Sequence, residues 1–455
     1  LIKLFYLPMN LHFIAIGGAI MHNLAICLKN MGHKVTGSDD VIFDPAKGNL
    51  EKEGLLPEKI GFDTAHISND IDAIILGMHA KPDNVELKKA QDLGIKIYSF
   101  PEFIYEQAKN KERIVVAGSH GKTTTTAMIM HVMRELNFDF DYLVGSSLAG
   151  FDLSVKISDA PYMVLEGDEY LSSPIEMTSK FHYYHPDVAI ITGVAWDHVN
   201  VFPTWEGYVK TFDDFLKNMN PSARAILFKQ DVTLQKIAKH APCKVTFYDT
   251  PSYRIENEQT KLIVGNSSYP LSIFGKHNLE NLEAARLACE AIGIESGDFY
   301  PAISSFKGTA KRLEPIKNNQ QIIAFRDFAH SPSKLDATLK SVREQFAQKK
   351  LIACMELHTF SSTDKAFLDE YKDCLLNADL SIIYMSAKAF EIKRKEPIAD
   401  ETIHHAFQQD TIQIARTPDE LLKLLNENFS KEAVYLLMSS GNFDGINWVE
   451  FFNQQ

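Results

Sequence analysis

Residues 114–126, Ile-Val-Val-Ala-Gly-Ser-His-Gly-Lys-Thr-Thr-Thr-Thr, constrain the fold more than any other stretch of this chain. An apolar β-type run at 114–117 stops at a glycine, a short loop follows, and Gly121-Lys122-Thr123 opens onto a helical stretch at 127–136. A strand that turns so quickly into a helix belongs to α/β architecture, with parallel strands joined by helical crossovers. The same turn reads as a phosphate cradle. Glycines let backbone N–H groups converge on phosphate oxygens, and the helix N-terminus adds partial positive charge. Lys122 is placed for the β- and γ-phosphates of a nucleotide, and the Thr123 hydroxyl for Mg²⁺. The spacing is compact, because Gly118 and Gly121 enclose only Ser119 and His120. Gly118, Ser119, His120, Gly121, Lys122, Thr123 and Thr124 form the expected phosphate-contacting set.

The alternation of β and helical runs extends in both directions. Strands are expected at 11–16, 34–38, 73–77 and 96–99, with helices at 19–31 and 84–93. A second unit begins at Arg113, continues through strands at 162–165 and 188–192, and runs to about residue 310, with a helix at 279–292. A charged, proline-ended linker at 308–315 leads to a third α/β unit with strands at 322–325, 351–355, 380–384 and 434–438. At 455 residues, the chain is too long for one core.

Further constellations sit at strand ends. Ala15-Ile16-Gly17-Gly18-Ala19 opens a helix after the first strand, and Asp39 ends the second. This is an incomplete dinucleotide fingerprint, with glycines for pyrophosphate approach and an acid for a ribose hydroxyl. Glu166 in Glu166-Gly167-Asp168-Glu169 is the expected hard ligand for Mg²⁺, beside a solvated-loop alternative. Asp197-His198 follows the next strand, as a metal ligand, a proton acceptor or ordinary loop polarity. Asn278 and Asn281 are spaced for one helix face, to pair with a purine edge, with Asn278 also expected as N-cap. Loops at 326–332 and 441–445 end strands of the third unit.

Composition excludes several classes. The net charge of −12 argues against a nucleic-acid or anionic-membrane surface. Five scattered cysteines without a CxxC pair read as reduced thiols, neither a disulfide frame nor a zinc site. The apolar N-terminus is broken by Lys3, Pro8, Asn10 and His12, too interrupted for a membrane span. Residues 1–8 are expected to precede the fold, and the protein is expected to be cytoplasmic.

Taken in order, GSHGKT, EGDE, DH, GKHNLEN, KR and DFAHSP resemble the Mur ligase family from Leu11 to about Ile446. The resemblance implies an ATP-dependent amide ligase of bacterial cell-wall synthesis in three α/β domains. These are an N-terminal Rossmann-like domain for a UDP-sugar (9–110), a central P-loop ATPase with a mostly parallel sheet (111–311), and a C-terminal Rossmann-like domain for the amino substrate and for closure on ATP (312–455). It implies Lys122, Glu166 and His198 as the catalytic set, with Mg²⁺ held by Thr123, Glu166 and His198. His277, Asn278 and Asn281 are implied to frame the adenine, Arg312 to reach ATP on closure, Asp327 to take the ribose, and His330 to join the closed site. Ile16, Gly17, Gly18, Ala19, Ile20 and Asp39 are implied to bind the UDP-sugar.

Within the family, His12–Gly18 and Thr36–Asp39 resemble the ligases acting on UDP-N-acetylmuramate. Two amine acceptors occur among those, L-alanine and L-alanyl-γ-D-glutamyl-meso-diaminopimelate. The long segment 166–186 and the ending 438–445 resemble the tripeptide-adding kind, so a murein tripeptide is expected, with L-alanine as the alternative. A monomer or homodimer is expected, with no nucleic-acid or membrane partner. The chain also departs from the family. Gly193 and Ala195 replace Asn and Glu, Arg326 an aspartate, and Ser331 a histidine, while the arginine and proline typical near 357–359 are absent. A non-catalytic nucleotide-binding protein is the alternative of another class. An NAD-dependent oxidoreductase would leave GSHGKT unused, and a folylpolyglutamate synthase lacks the N-terminal glycine-rich domain.

Overall fold

The computed structural model describes residues 8–196, 201–318, 322–365 and 367–455, together with all side chains among them except that of Ile392. The chain divides into two compact units, one built from residues up to Thr250 plus Glu280–Ile303, the other from Pro251–Leu279 plus Ser304–Gln455. Among the described residues no helix is long and apolar enough to cross a membrane.

Short apolar runs build the first unit. Ala73–Leu76 and Val188–Ile191 are buried at every position, the signature of parallel strands covered on both faces. The N-terminal sheet has four parallel strands in the spatial order Lys34–Ser38, Asn10–Ile14, Ala73–Leu76, Lys96–Ser99. Ile14 pairs with both Ser38 and Leu76, so the loops after these strands share one edge.

A seven-stranded sheet follows, ordered Lys244–Tyr248, Arg224–Phe228, Val188–Ile191, Glu112–Ala117, Tyr162–Glu166, Phe140–Leu143, Val155–Lys156. All neighbours are parallel except the last pair. The strand feeding the glycine loop lies at the centre, with Ala117 opposite Ile191 and Val116 opposite Glu166. Three loops therefore leave the sheet together at its carboxyl edge, where α/β sheets hold ligands. The helix after the glycines begins at Lys122, five residues before the expected start, and runs to Glu135. Its threonines are weak helix formers alone, but every residue from Thr123 to Met133 is buried, and packing overrides propensity.

The second unit holds a six-stranded sheet, ordered Glu314–Asn318, Ile323–Asp327, Ala433–Met438, Lys350–Glu356, Leu380–Tyr384, Gln413–Ala415, with only the first pair antiparallel. The four strands expected here all form. The stretch up to about residue 310, expected to continue the phosphate-loop unit, contains a segment grouped with the second compact unit. Residues 251–279 carry an antiparallel meander, Tyr253–Glu256, Gln259–Val264 and Ser267–Pro270, that belongs to the second unit. The cause is local packing. Phe274 packs edge-on against Phe325 and Phe346, with ring centroids 5.3 and 5.7 Å away. The buried Thr260 hydroxyl donates to Gln345 at 2.7 Å. Phe274→Ala should lower the stability of this unit by roughly 3–5 kcal/mol, measured by urea denaturation; a loss below about 1 kcal/mol would show that the ring does not hold the meander.

Candidate active site

The turn from Ala117 into the helix at Lys122 is made by two glycines in backbone conformations that side chains rarely adopt, Gly118 at φ +123° and Gly121 at φ +74°. A Cβ on Gly118 would run into Thr192, and one on Gly121 into the Asn281 carboxamide. The loop is clasped from the neighbouring strand end. Thr192 donates its N–H to the Ala117 carbonyl at 3.0 Å and its hydroxyl to the His120 carbonyl. The Ser119 N–H donates to the Gly193 carbonyl at 2.9 Å, and Ala195 returns an N–H to the Ser119 hydroxyl at 2.8 Å. No side chain caps the helix that starts at Lys122, and its N-terminal partial positive charge suits an anion.

Carboxylates from the adjacent strand end face this cradle. Glu166 ends its strand and accepts the Thr123 hydroxyl at 2.8 Å on one oxygen and the Gly145 N–H at 2.9 Å on the other. Lys122 donates to the Gly118 carbonyl at 2.6 Å and to Glu169 at 2.8 Å. Asp168 pairs with Lys180 at 2.6 Å. Burial disfavours the Lys122 ammonium, but Glu169, Asp168 and Glu166 together outweigh it and hold its pKa above the ordinary lysine value. Burial likewise works against the Asp168 carboxylate, yet Lys180 and Lys122 keep its pKa below the usual range. The cradle is thus cationic at its lysine and acidic at its rim.

A hydroxyl beside a carboxylate on adjacent elements is a hard-oxygen pair suited to a small divalent cation, which takes its other ligands from water and phosphate. Thr123 and Glu166 fit that role. His198, the third expected ligand, and Asp197 lie outside the described residues. Among the described residues no three His, Cys, Asp or Glu side chains gather into a metal-binding group.

The N-terminal glycine loop has the same construction. Ala15 takes φ +67° where a fingerprint would place glycine. Gly18 starts the helix Ala19–Asn30 without a side-chain cap. Ile16 is buried, while Gly17, Gly18, Ala19 and Ile20 reach the surface to differing extents. Asp39 accepts the Gly17 N–H at 2.7 Å and the Asp40 N–H at 2.9 Å, and burial raises its pKa. Its first task is therefore to shape the glycine loop. Each oxygen keeps a further lone pair for a ligand hydroxyl.

In the second unit, Asp327 is equally committed. It accepts the Leu313 N–H at 2.7 Å and the Ala329 N–H at 2.8 Å, bracing the segment that holds Arg312. His277 touches the Ser341 hydroxyl at 3.2 Å. Burial lowers its pKa, with Arg312 adding to the effect and Asp327 opposing it. His330 holds the Phe328 carbonyl through Nδ1 at 2.8 Å. The helix here begins at Lys276, so Asn278 is not its N-cap as expected. It stands in the first turn with its amide on the Phe274 carbonyl at 2.9 Å. Arg326 is a surface clamp, gripping Glu314 through two contacts of 2.8 Å. Ser331 precedes the helix Pro332–Gln345 as its N-cap residue, without a side-chain cap bond. Gly193, at φ +148°, adopts a conformation that suits glycine.

Two residues of the cradle escaped sequence reasoning. In sequence Glu169 belongs to an acidic loop, yet it is fully buried against Lys122. Tyr208 bridges the Ser119 hydroxyl at 2.8 Å and Glu169 at 3.2 Å. Its signal was a lone tyrosine in the buried stripe Tyr208, Phe212, Phe215 of the helix Trp205–Lys217.

A glycine cradle with a lysine, an acidic rim and a parallel sheet behind it defines a nucleotide-dependent phosphoryl-transfer enzyme. Family comparison narrows this class. The Mur ligase middle domain matches residues 116–289, the Mur ligase family catalytic domain residues 10–112, and the Mur ligase glutamate ligase domain residues 311–441. This chain belongs to the Mur ligase family, whose members are ATP-dependent amide ligases. It is 30% identical over 452 residues to the UDP-N-acetylmuramate–L-alanine ligase of Lactococcus lactis subsp. cremoris (strain MG1363), covering 95% of this chain and 94% of that protein. Its fold matches the UDP-N-acetylmuramate–alanine ligase of Thermotoga maritima (TM-score 0.72, 20% identity, 98% and 99% of the two chains). It also matches the murein peptide ligase of Psychrobacter arcticus 273-4 (TM-score 0.64, 24% identity, 98% of each chain).

Gly121→Ala tests the cradle. A left-handed alanine costs about 1–2 kcal/mol, and its methyl meets Asn281. Stability by urea denaturation should fall by at least about 1 kcal/mol and ATP affinity by at least about tenfold. A variant with wild-type ATP affinity would show that the loop does not need this backbone to hold phosphate.

Proposed function

We propose that this chain joins the lactyl carboxylate of UDP-N-acetylmuramate to the free amine of L-alanyl-γ-D-glutamyl-meso-diaminopimelate, in the cytoplasm, with ATP converted to ADP and phosphate. The observation that carries the choice of amine is the segment 166–186. It resembles the tripeptide-adding kind in sequence and closes on itself as a loop. Leu171 bridges Ser179, Lys180 donates its N–H to the Tyr170 carbonyl at 2.9 Å, and Ile175 and Met177 are exposed. A second reading, L-alanine as the amine, is favoured by the name of the Lactococcus relative.

The chemistry follows from charge. A carboxylate must attack the γ-phosphate of ATP, forming an acyl phosphate and releasing ADP. The amine then attacks the acyl carbon, phosphate leaves, and an amide forms. Two anions approach one another in the first step, so cationic groups must converge on the transferring phosphoryl. Lys122 supplies a fixed ammonium, and the uncapped helix at Gly121 supplies backbone N–H groups. Mg²⁺, when bound, would be held by Thr123, Glu166 and His198 and would neutralise further phosphate charge. In the N-terminal domain, Gly17, Gly18 and the helix behind them receive the UDP-sugar's pyrophosphate. His277, Asn278 and Asn281 frame the adenine, and Arg312, Asp327 and His330 complete the nucleotide site when the C-terminal domain closes. Closure matters because an acyl phosphate open to water hydrolyses.

Purified protein given ATP, UDP-N-acetylmuramate and either amine should yield, by mass spectrometry, the UDP-N-acetylmuramoyl tripeptide. Exclusive formation of the alanyl product would favour the second reading. Lys122→Ala should cut substrate-dependent ADP release by roughly a thousandfold with unchanged circular dichroism, and near-normal turnover would sink the ligase assignment.

A further inference from the structure

Glu169 has no part in the chemistry above, yet its placement is specific. It is fully buried, and a buried carboxylate persists only when paired and hydrogen-bonded. Its two oxygens serve different partners, Lys122 on one and the Tyr208 hydroxyl on the other. The directions of the bonds can be assigned. An ionised carboxylate only accepts, so Tyr208 donates to Glu169 and must accept from Ser119; Ser119 in turn accepts the Ala195 N–H. A single chain of donors therefore runs from the loop after Val188–Ile191, through Ser119 and Tyr208, to the carboxylate that grips Lys122. Tyr208 is fully buried among aromatic neighbours, with Phe202 and Phe212 at 5.2 and 5.3 Å. A phenylalanine would pack there equally well, so the hydroxyl is present for the bridge.

Lysine has three donors. Gly118 takes one and Glu169 another, which leaves a single N–H for a phosphate and fixes its direction. The same carboxylate sets a negative charge close to that phosphate.

We infer that Glu169 is a positioning residue: it aims Lys122 at the phosphoryl group at a cost in ATP affinity, and Tyr208 and Ser119 tie that aim to the loop after the neighbouring strand. The inference rests on the nucleotide reading of the phosphate loop and is independent of which amine is joined.

The test is calorimetric titration of the full chain with ATP, alongside ADP release at saturating substrates. Glu169→Gln should bind ATP about fivefold more tightly while kcat falls at least about tenfold. A merely structural role would weaken both. Tyr208→Phe keeps the Glu169–Lys122 pair, so ATP affinity should stay within about twofold while kcat falls about tenfold. Folded Glu169→Gln with unchanged or weaker ATP binding would overturn the inference, as would Tyr208→Phe with wild-type kcat. If Glu169→Gln does not fold, Tyr208→Phe decides. A wild-type protein that fails to bind ATP would instead overturn the reading of the loop, and this role with it.

Discussion

Everything at the active edge depends on a strand becoming a helix within four residues. Only glycine at 118 and 121 permits it, because both backbones are left-handed and both Cβ positions are filled by neighbouring groups. That turn leaves the helix end uncapped and lets Lys122 fold back over the loop to the Gly118 carbonyl. The central position of the strand then gathers the loops after Glu166 and Ile191 around it. A sheet of the same strands in another order would hold the same residues far apart.

The electrostatics follow from this convergence. Glu166, Asp168 and Glu169 bring three carboxylates close to a site meant for a polyanion, balanced within the protein by Lys122 and Lys180. Under the proposed function, a further cation would offset this acidic rim, and the Thr123–Glu166 pair is suited to hold it. Elsewhere the fold spends its acids on backbone. Asp39 shapes the N-terminal glycine loop and Asp327 braces the segment around Arg312. These carboxylates first set the shape of the loops they adjoin, and ligand contact is added to that.

Central strands such as Ala73–Leu76 and Val188–Ile191 were legible because they are buried on both faces and read as unbroken apolar runs, whereas the parallel strands Phe140–Leu143, Arg224–Phe228, Lys244–Tyr248 and Gln413–Ala415, short or carrying polar residues, were not. The phosphate loop was legible because few residue types can make its turn. What escaped was decided by tertiary packing. The helix start at Lys122 was hidden by four threonines, and the meander at 253–270 by short, polar, half-exposed strands. Asn278 lost its expected cap position because the helix begins three residues earlier than expected, at Lys276. Glu169 and Tyr208 lie 39 residues apart, and no local pattern joins them; only the fold makes a carboxylate, a phenol and a serine into one chain of hydrogen bonds. Arg326, a departure from the family pattern, proved to be a clamp on Glu314 at the sheet edge.

Under the proposed function, the phosphate loop activates a carboxylate by phosphorylating it. Following one oxygen reveals whether it does. UDP-N-acetylmuramate labelled with oxygen-18 in its lactyl carboxylate is turned over with ATP and the tripeptide, and the released phosphate is weighed. The label should appear in the phosphate, because the carboxylate oxygen bonded to phosphorus leaves with it. Unlabelled phosphate, with amide formed all the same, would rule out an acyl phosphate.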